Sequence, residues 1–138
     1  MLITEDTALG TSLPTVGTRF TVDMFRSGDI KTIHNDKAAA EREGLAAPIA
    51  VGPQVAALIF RMMRQTLGEG WITGGHASLT FRRPTPVDQT AVAHAVLKSK
   101  APVGENQLRV DFEVWVELPN GDKTIVGTAG GLVRRQRN

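Results

Sequence analysis

The sequence of 138 residues contains no cysteine, which excludes disulfide bonds and thiolate metal sites. It also contains no apolar run that approaches the length of a membrane-spanning helix. The first ten residues, MLITEDTALG, lack the basic start and apolar stretch of a signal peptide. We therefore expect a protein of the reducing cytoplasm that does not enter a membrane.

Aromatic residues make up only 5% of the chain, and tyrosine is absent. No nucleic-acid-binding motif accompanies the basic residues, so we expect no nucleic-acid partner. The net charge is +2, and the basic residues cluster at Arg82–Arg83 and in a tail with Arg134, Arg135 and Arg137. Such clusters are usually solvated surface. The alternative is attraction for an anionic ligand, such as a phosphorylated cofactor.

The rest of the composition is typical of a globular protein, with 41% hydrophobic and 22% charged residues. The length fits one domain that buries a core without covalent staples. We therefore treat residues 1–138 as a single domain, in which residues 1–15 are polar, turn-rich and irregular.

Two helices are predicted in the first half of the chain. A short one should run from Asp36, a plausible N-cap, to Gly44, a natural stop. A longer one should begin at Pro53, because the missing N–H of proline costs nothing at a first helical position. It should end at Gly68 and Gly70. Its first half is apolar almost all round, which is typical of a helix wrapped by other structure.

Alternating apolar and polar residues predict antiparallel strands in most of the remaining chain. The expected strands are Arg19–Phe25, His76–Arg82, Thr90–Lys98, Gln107–Leu118 and Lys123–Arg134. The fourth is the clearest, because its six apolar residues all fall on one face. The turn PNGD then joins it to the fifth. We expect an α+β fold in which a curved antiparallel sheet wraps around a long central helix.

One polar constellation, in the stretch SGDIKTIHNDKAAAEREG, places Asp29, His34 and Asp36 just before the short helix. Asp29 could be a catalytic acid, but it could also simply form a turn after Gly28. His34 could likewise be catalytic, or it could be a histidine whose ring is satisfied by a backbone carbonyl. Asp36 is better explained as the helix cap than as a catalyst. A metal site is disfavoured, because the three residues form no compact ligand pattern.

The same stretch, together with GLAAPIAVGP and SLTFRRPTPVDQT, resembles the MaoC-like family of (R)-specific enoyl-thioester hydratases and dehydratases. That family carries S-G-D-x-N-P-[IL]-H and, before its central helix, G-x-x-x-P-I-x-H-G. Asp29 and His34 have the family's spacing, and Gly44, Pro48 and Gly52 also match. Lys31 and Thr32 stand where the family usually has Asn-Pro. The resemblance implies a hot-dog fold, with the sheet wrapped around the helix.

The resemblance also implies roles for particular residues. Asp29 and His34 would hold and activate one water molecule, and Gly52 and Gln54 would bind the substrate and its developing oxyanion. Arg82 and Arg83 are candidates for contacts with the phosphates of the thioester carrier. The family needs no metal or redox cofactor, because coenzyme A or the phosphopantetheine of a carrier protein is part of the substrate.

The resemblance implies an enzyme that adds or removes water at an α,β-unsaturated acyl thioester, giving an (R)-3-hydroxyacyl thioester. The expected assembly is a homodimer, or a heterodimer with a related hot-dog subunit. Three alternatives stay open. They are an acyl thioesterase, a catalytically silent subunit of a heteromeric hydratase, and a biosynthetic isomerase or cyclase.

Overall fold

The computed structural model describes residues 1–135. Arg137, the last arginine of the basic tail, therefore lies outside the described residues. Along this part of the chain the elements are β1 (Val16–Arg19), a 3-10 helix (Val22–Phe25), α1 (Lys37–Arg42), α2 (Gly52–Leu67), α3 (Glu69–Gly74), β2 (His76–Phe81), β3 (Thr90–Val103), β4 (Gln107–Glu117) and β5 (Lys123–Arg134).

The five strands form one antiparallel sheet in the order β1-β3-β4-β5-β2. Its central strand β4 keeps the predicted alternation. The apolar residues of this segment are all buried, namely Leu108, Val110, Phe112, Val114, Val116 and Leu118. The long helix α2 contacts β1, β3, β4 and β5 and buries one face against them, with Ile59 and Met63 fully inaccessible to solvent. The predicted α+β arrangement of a sheet packed on a central helix is therefore confirmed.

The predicted first strand, Arg19–Phe25, is wrong. The strand is Val16–Arg19, and Val22–Phe25 forms a 3-10 helix. In a continuous strand, Phe20 and Phe25 would point to opposite faces, because they are an odd number of positions apart. The 3-10 helix instead brings both rings into the core, where their centroids lie 6.0 Å apart.

The two predicted helices are present, with small shifts at their ends. Asp36 is the N-cap of α1, since its Oδ2 accepts a hydrogen bond from the Ala39 N–H at 3.0 Å. The long helix α2 begins at Gly52, one residue earlier than predicted, and ends before Gly68, whose φ is 59°. This left-handed conformation suits glycine and stops the helix.

Helix α3 was not predicted, because Gly70 was interpreted as a second helix stop. Gly70 lies inside α3, and a Cβ atom on it would come within 1.6 Å of the Leu132 carbonyl oxygen. Glycine is therefore needed at this position for close contact between α3 and β5. A glycine that ends a helix and a glycine that permits close packing cannot be distinguished from the sequence alone.

Candidate active site

The His34 side chain is held by a backbone carbonyl. Its Nδ1 lies 2.8 Å from the Ile49 oxygen, and its ring lies 6.2 Å from that of the buried Phe25. A carbonyl oxygen only accepts hydrogen bonds, so Nδ1 carries the proton and donates it. In the neutral imidazole, Nε2 is then left with a free lone pair. No side chain or backbone group of residues 1–135 occupies that nitrogen.

Asn35 cross-links the loop that carries His34, a role that no sequence motif indicated. Its Nδ2 donates to the carbonyl oxygens of Phe25 at 2.9 Å and Ile30 at 3.1 Å. Its Oδ1 accepts from the Thr32 N–H at 2.9 Å. One half-buried amide thus joins three points of the loop, and this fixes the backbone on which the imidazole is mounted.

Residues 48–50 connect this loop to the start of the long helix. The Ile49 N–H donates to the Ile33 oxygen at 3.0 Å, and the Ala50 N–H donates to the Thr85 oxygen at 2.8 Å. Together with the bond from His34 to Ile49, these contacts hold the imidazole loop and the first turn of α2 in a fixed relation.

The first turn of α2 presents a free backbone donor. The Gln54 N–H donates to the Val51 oxygen at 3.0 Å, and Pro53 has no N–H. The Gly52 N–H has no acceptor in the described part of the chain. This donor lies at the positive end of a 16-residue helix, which favours negative charge beside it.

His34 and Gly52 line the same cavity, which has a volume of about 280 Å³. We call it the catalytic cavity after the role proposed for it. Its wall is formed by His34, Ile49, Ala50, Gly52, Val55, Phe81, Arg82, Arg83, Pro84, Thr85 and Ile125. The cavity thus combines an imidazole, a free N–H and a largely apolar wall, with two arginines among the lining residues.

Asp29 lines a different depression, with Arg26, Lys31, Asn35 and others, and no lining residue is shared with the catalytic cavity. It is exposed and follows Gly28, whose φ of 58° makes a tight turn between Ser27 and Ile30. Within residues 1–135, its carboxylate makes no hydrogen bond or ion pair. The pairing of Asp29 with His34 therefore stays a prediction.

The other predicted residues are placed as follows. Gln54 is exposed and is absent from the wall of the catalytic cavity. Arg82 and Arg83 both line the cavity and are exposed. Arg83 forms an ion pair with Asp122 at 3.1 Å, whereas Arg82 has no acidic partner among the described residues. Asp36 serves as the helix cap.

Two further results bear on the kind of site. In residues 1–135, no three or more histidine and acidic side chains group closely enough to hold a metal ion. In the same range, no helix has both the length and the apolar character required to span a membrane.

The comparison with known families decides the relationship. Residues 4–117 match the MaoC-like domain. The chain belongs to the MaoC-like domain family. Among curated protein sequences, no significant match to this chain is found.

Solved structures share the fold of this MaoC-like chain. The (R)-hydratase from A. caviae involved in PHA biosynthesis is 20% identical, with a TM-score of 0.70 over 94% of this chain and 98% of that one. The MaoC-like dehydratase from Rhodospirillum rubrum is 19% identical, with a TM-score of 0.76 over 97% of each chain. The ChsH1-ChsH2 complex from Mycobacterium tuberculosis is 14% identical, with a TM-score of 0.69 over 94% and 99%. The predicted hot-dog fold is thereby confirmed.

Phe81 is a lining residue of the catalytic cavity that sequence reasoning missed. It lies within the predicted strand His76–Arg82, and its side chain is 55% exposed and lines the catalytic cavity. Strand β2 lies at the edge of the sheet, so its alternation does not translate into burial. The sequence feature that could have indicated this role is the position of Phe81 directly before Arg82 and Arg83.

Proposed function

We propose that this protein adds water to the double bond of an α,β-unsaturated acyl thioester, or catalyses the reverse dehydration. The observation that carries the proposal is that His34 and the free N–H of Gly52 line one small cavity in a chain of the MaoC-like family. A base and an oxyanion donor in one cavity are two of the elements that this addition requires.

The reaction divides between these groups as follows. The free Nε2 of His34 removes a proton from water as the water oxygen bonds to the β-carbon. The electron pair of the double bond moves towards the thioester oxygen, where the N–H of Gly52 stabilises the negative charge. The protonated His34 then delivers that proton to the α-carbon, which completes the addition of one water molecule and returns the imidazole to its neutral form. Proton transfer of this kind contributes about 10²–10⁴ in rate.

Asp29 is the proposed second member of the pair, and its support is the family spacing rather than a contact. Its carboxylate is free of protein partners in residues 1–135, so it is available to orient the water that His34 activates. The substrate brings its own coenzyme A or phosphopantetheine, and the proposed steps involve no metal or redox cofactor.

We propose that the chain acts as a dimer. Within the described residues, β2 pairs only with β5, so its outer edge is open. The strand at the opposite edge, β1, is only four residues long, and the N-terminal segment extends the pairing with β3 through the Ser12–Val96 bridge. An open edge strand is a template for pairing with another chain. Light scattering should give the mass of a dimer, and a stable monomer would contradict this proposal.

The hydratase proposal is tested with purified protein and crotonyl-CoA. Hydration removes the absorbance of the conjugated enone, whereas a thioesterase releases a free thiol. His34→Ala and Asp29→Asn should each lower turnover at least about 100-fold while the protein stays folded. Asp23→Asn is the matched control, because Asp23 is an exposed acid in an exposed ion pair with Arg26. Unchanged turnover in both site variants would refute the assignment.

A catalytically silent subunit is the second candidate, and two observations favour it. Asp29 lines a depression separate from the catalytic cavity, and one structural relative is a complex of two different proteins. Turnover by the purified chain alone excludes this candidate. Absence of turnover, followed by activity after addition of a second hot-dog subunit, would support it.

A further inference from the structure

The catalytic cavity contains two polar side chains that the proposed hydration leaves without a role. They are the hydroxyl of Thr85 and the guanidinium of Arg82, and both residues line the same wall as His34 and Gly52. Among residues 1–135, no acidic side chain lines this cavity. The wall therefore presents hydrogen-bond donors and positive charge with no carboxylate of the protein to balance them.

Thr85 is 4% exposed, and its hydroxyl makes no hydrogen bond within the described range. The oxygen is not sealed off from solvent, so the hydroxyl reaches the space of the cavity that the residue lines. The pattern S-x-x-F-x-x-P-V of the MaoC-like family has valine where this chain has Thr85. A hydroxyl buried without a partner costs folding free energy that valine avoids. The threonine therefore indicates a hydrogen bond with a ligand.

The backbone holds both residues at the cavity wall. The Ala50 N–H donates to the Thr85 oxygen at 2.8 Å, which joins the segment before α2 to the segment after β2. The Arg82 N–H donates to the Thr124 oxygen at 2.8 Å, which extends the pairing of β2 with β5 by one residue. Neither side chain is needed for these backbone contacts, so both are available to a ligand.

Arg82 supplies the positive charge. Its neighbour Arg83 forms an ion pair with Asp122 at 3.1 Å, whereas Arg82 has no acid partner in residues 1–135. A guanidinium is always charged, and its planar fork of N–H donors matches the two oxygens of a carboxylate. The free charge of this cavity therefore favours an anionic group on the ligand.

We propose that the acyl group hydrated here carries a second carboxylate, which Arg82 and Thr85 bind; the inference rests on the proposed hydratase function. The substrate class is a short α,β-unsaturated dicarboxylic acyl thioester. At about 280 Å³, the cavity is at the lower limit of about 300 Å³ for a drug-sized ligand, which suits a short acyl group.

The phosphates of the thioester carrier are the other anion that Arg82 can meet. In coenzyme A and in carrier-bound phosphopantetheine, the whole pantetheine arm separates these phosphates from the thioester carbonyl. A cavity of about 280 Å³ does not hold that arm together with the acyl group, so an extended arm takes the phosphates away from this wall. A carboxylate on a short acyl group stays beside it.

The experiment compares glutaconyl thioesters with their uncharged isostere, in which an isopropyl group replaces the distal carboxylate. Each acyl group is joined to coenzyme A and to N-acetylcysteamine, which has no phosphate. Hydration is followed by loss of the enone absorbance. We define the carboxylate preference as kcat/KM for the charged acyl group divided by kcat/KM for the isostere. For the wild type it should be at least about 10 with both carriers, because unpaired donors reject the uncharged group.

Arg82→Gln should lower the carboxylate preference about 10-fold, and Thr85→Val about 3-fold, with either carrier. Arg61→Gln is the control for the first variant, since Arg61 is exposed on α2, lies outside the cavity and has no acid partner in residues 1–135. Thr124→Val is the control for the second, since Thr124 is 0% exposed and does not line the cavity. Both controls should keep the wild-type preference.

The contrary results are distinct. Equal kcat/KM for the two acyl groups in the wild type overturns the inference, and so does an unchanged preference in Arg82→Gln or Thr85→Val. A loss in Arg82→Gln that is equal for both acyl groups also overturns it. If that loss is confined to the coenzyme A thioesters, Arg82 binds the carrier phosphates instead.

Failure of the hydratase proposal is recognised separately, because then neither crotonyl-CoA nor any of these thioesters is hydrated. The carboxylate site is still tested in that case by calorimetric titration with glutaryl-CoA and its isopropyl isostere, which are saturated. Glutaryl-CoA that binds at least about 10-fold more tightly, with this difference lost in Arg82→Gln and kept in Arg61→Gln, supports the site. Equal binding of the two ligands, or no binding by the wild type, overturns it.

Discussion

The ring of Phe81 on the edge strand β2 lies against the first residue of the long helix, Gly52. A Cβ atom on Gly52 would come within 3.3 Å of the Phe81 Cε1 atom and 3.6 Å of its Cδ1. Gly52 does not have a left-handed φ, so the backbone itself tolerates other residues there. The aromatic ring, rather than the backbone, is what favours glycine at the proposed oxyanion donor.

Gly52→Ala should therefore separate stability from activity. Alanine lowers the conformational entropy of the unfolded chain, which is worth about 0.4–1 kcal/mol, and this offsets the crowding against Phe81. We expect a free energy of unfolding within about 1 kcal/mol of the wild type, measured by denaturant titration. Turnover of crotonyl-CoA should fall about 10–100-fold. Removal of one oxyanion donor lowers kcat by up to about 10³-fold, and in this variant the Gly52 N–H is displaced rather than removed.

The double variant Gly52→Ala, Phe81→Ala serves as the control for this explanation. Removal of the ring gives the new methyl group space, so turnover should recover relative to Gly52→Ala alone. The turnover of the double variant is compared with the value obtained by multiplying the fold-losses of Gly52→Ala and Phe81→Ala. If its turnover is lower than that value, crowding between residues 52 and 81 does not cause the loss in Gly52→Ala.

Asn35→Ala should damage both the fold and the site, because one amide makes three hydrogen bonds in the loop that carries His34. We expect a loss of about 2 kcal/mol in the free energy of unfolding, from bonds worth about 0.5–1.5 kcal/mol each. Turnover should also fall, since the imidazole loses its fixed backbone. Asn106→Ala, an exposed asparagine in the turn between β3 and β4, should change neither quantity. A full rate in Asn35→Ala would show that the loop holds His34 without this side chain.

Asp36→Ala tests the cap of α1. Loss of the bond from the Ala39 N–H to Asp36 should cost about 1 kcal/mol of stability, as measured by urea unfolding. Asp23→Ala removes an exposed acid whose ion pair with Arg26 is open to solvent, and such pairs contribute at most about 1 kcal/mol and often nothing. Equal losses in the two variants would argue against a specific capping role.

Val114→Ala and Val103→Ala make the same chemical change at a buried and at an exposed position of the sheet. Val114 is 1% exposed on β4, whereas Val103 is 44% exposed at the end of β3. The first should lose about 2 kcal/mol, since the cavity term adds to the lost transfer energy, and the second less than about 0.5 kcal/mol. Thermal unfolding monitored by circular dichroism gives both values. Similar losses would contradict the inward orientation of Val114.

The sequence by itself determined the elements in which the local pattern agrees with the tertiary environment. Strand β4 could be predicted because its alternating residues lie in the centre of the sheet, with one face on the core. The cap at Asp36 and the helix end at Gly68 depend on the local backbone, so short motifs report them. The family relationship also depends on local spacing, and Asp29 and His34 carry it.

Only the tertiary structure decided the features that join distant segments. The 3-10 helix at Val22–Phe25 exists because two phenylalanines have to reach one core, and Gly70 sits inside α3 because β5 approaches it closely. The catalytic cavity likewise brings together His34, Gly52 and Phe81 from three separate segments of the chain. Alternation and spacing describe neighbours along the chain, whereas a cavity wall is made by contacts across it, and those depend on how the whole sheet packs on the helix.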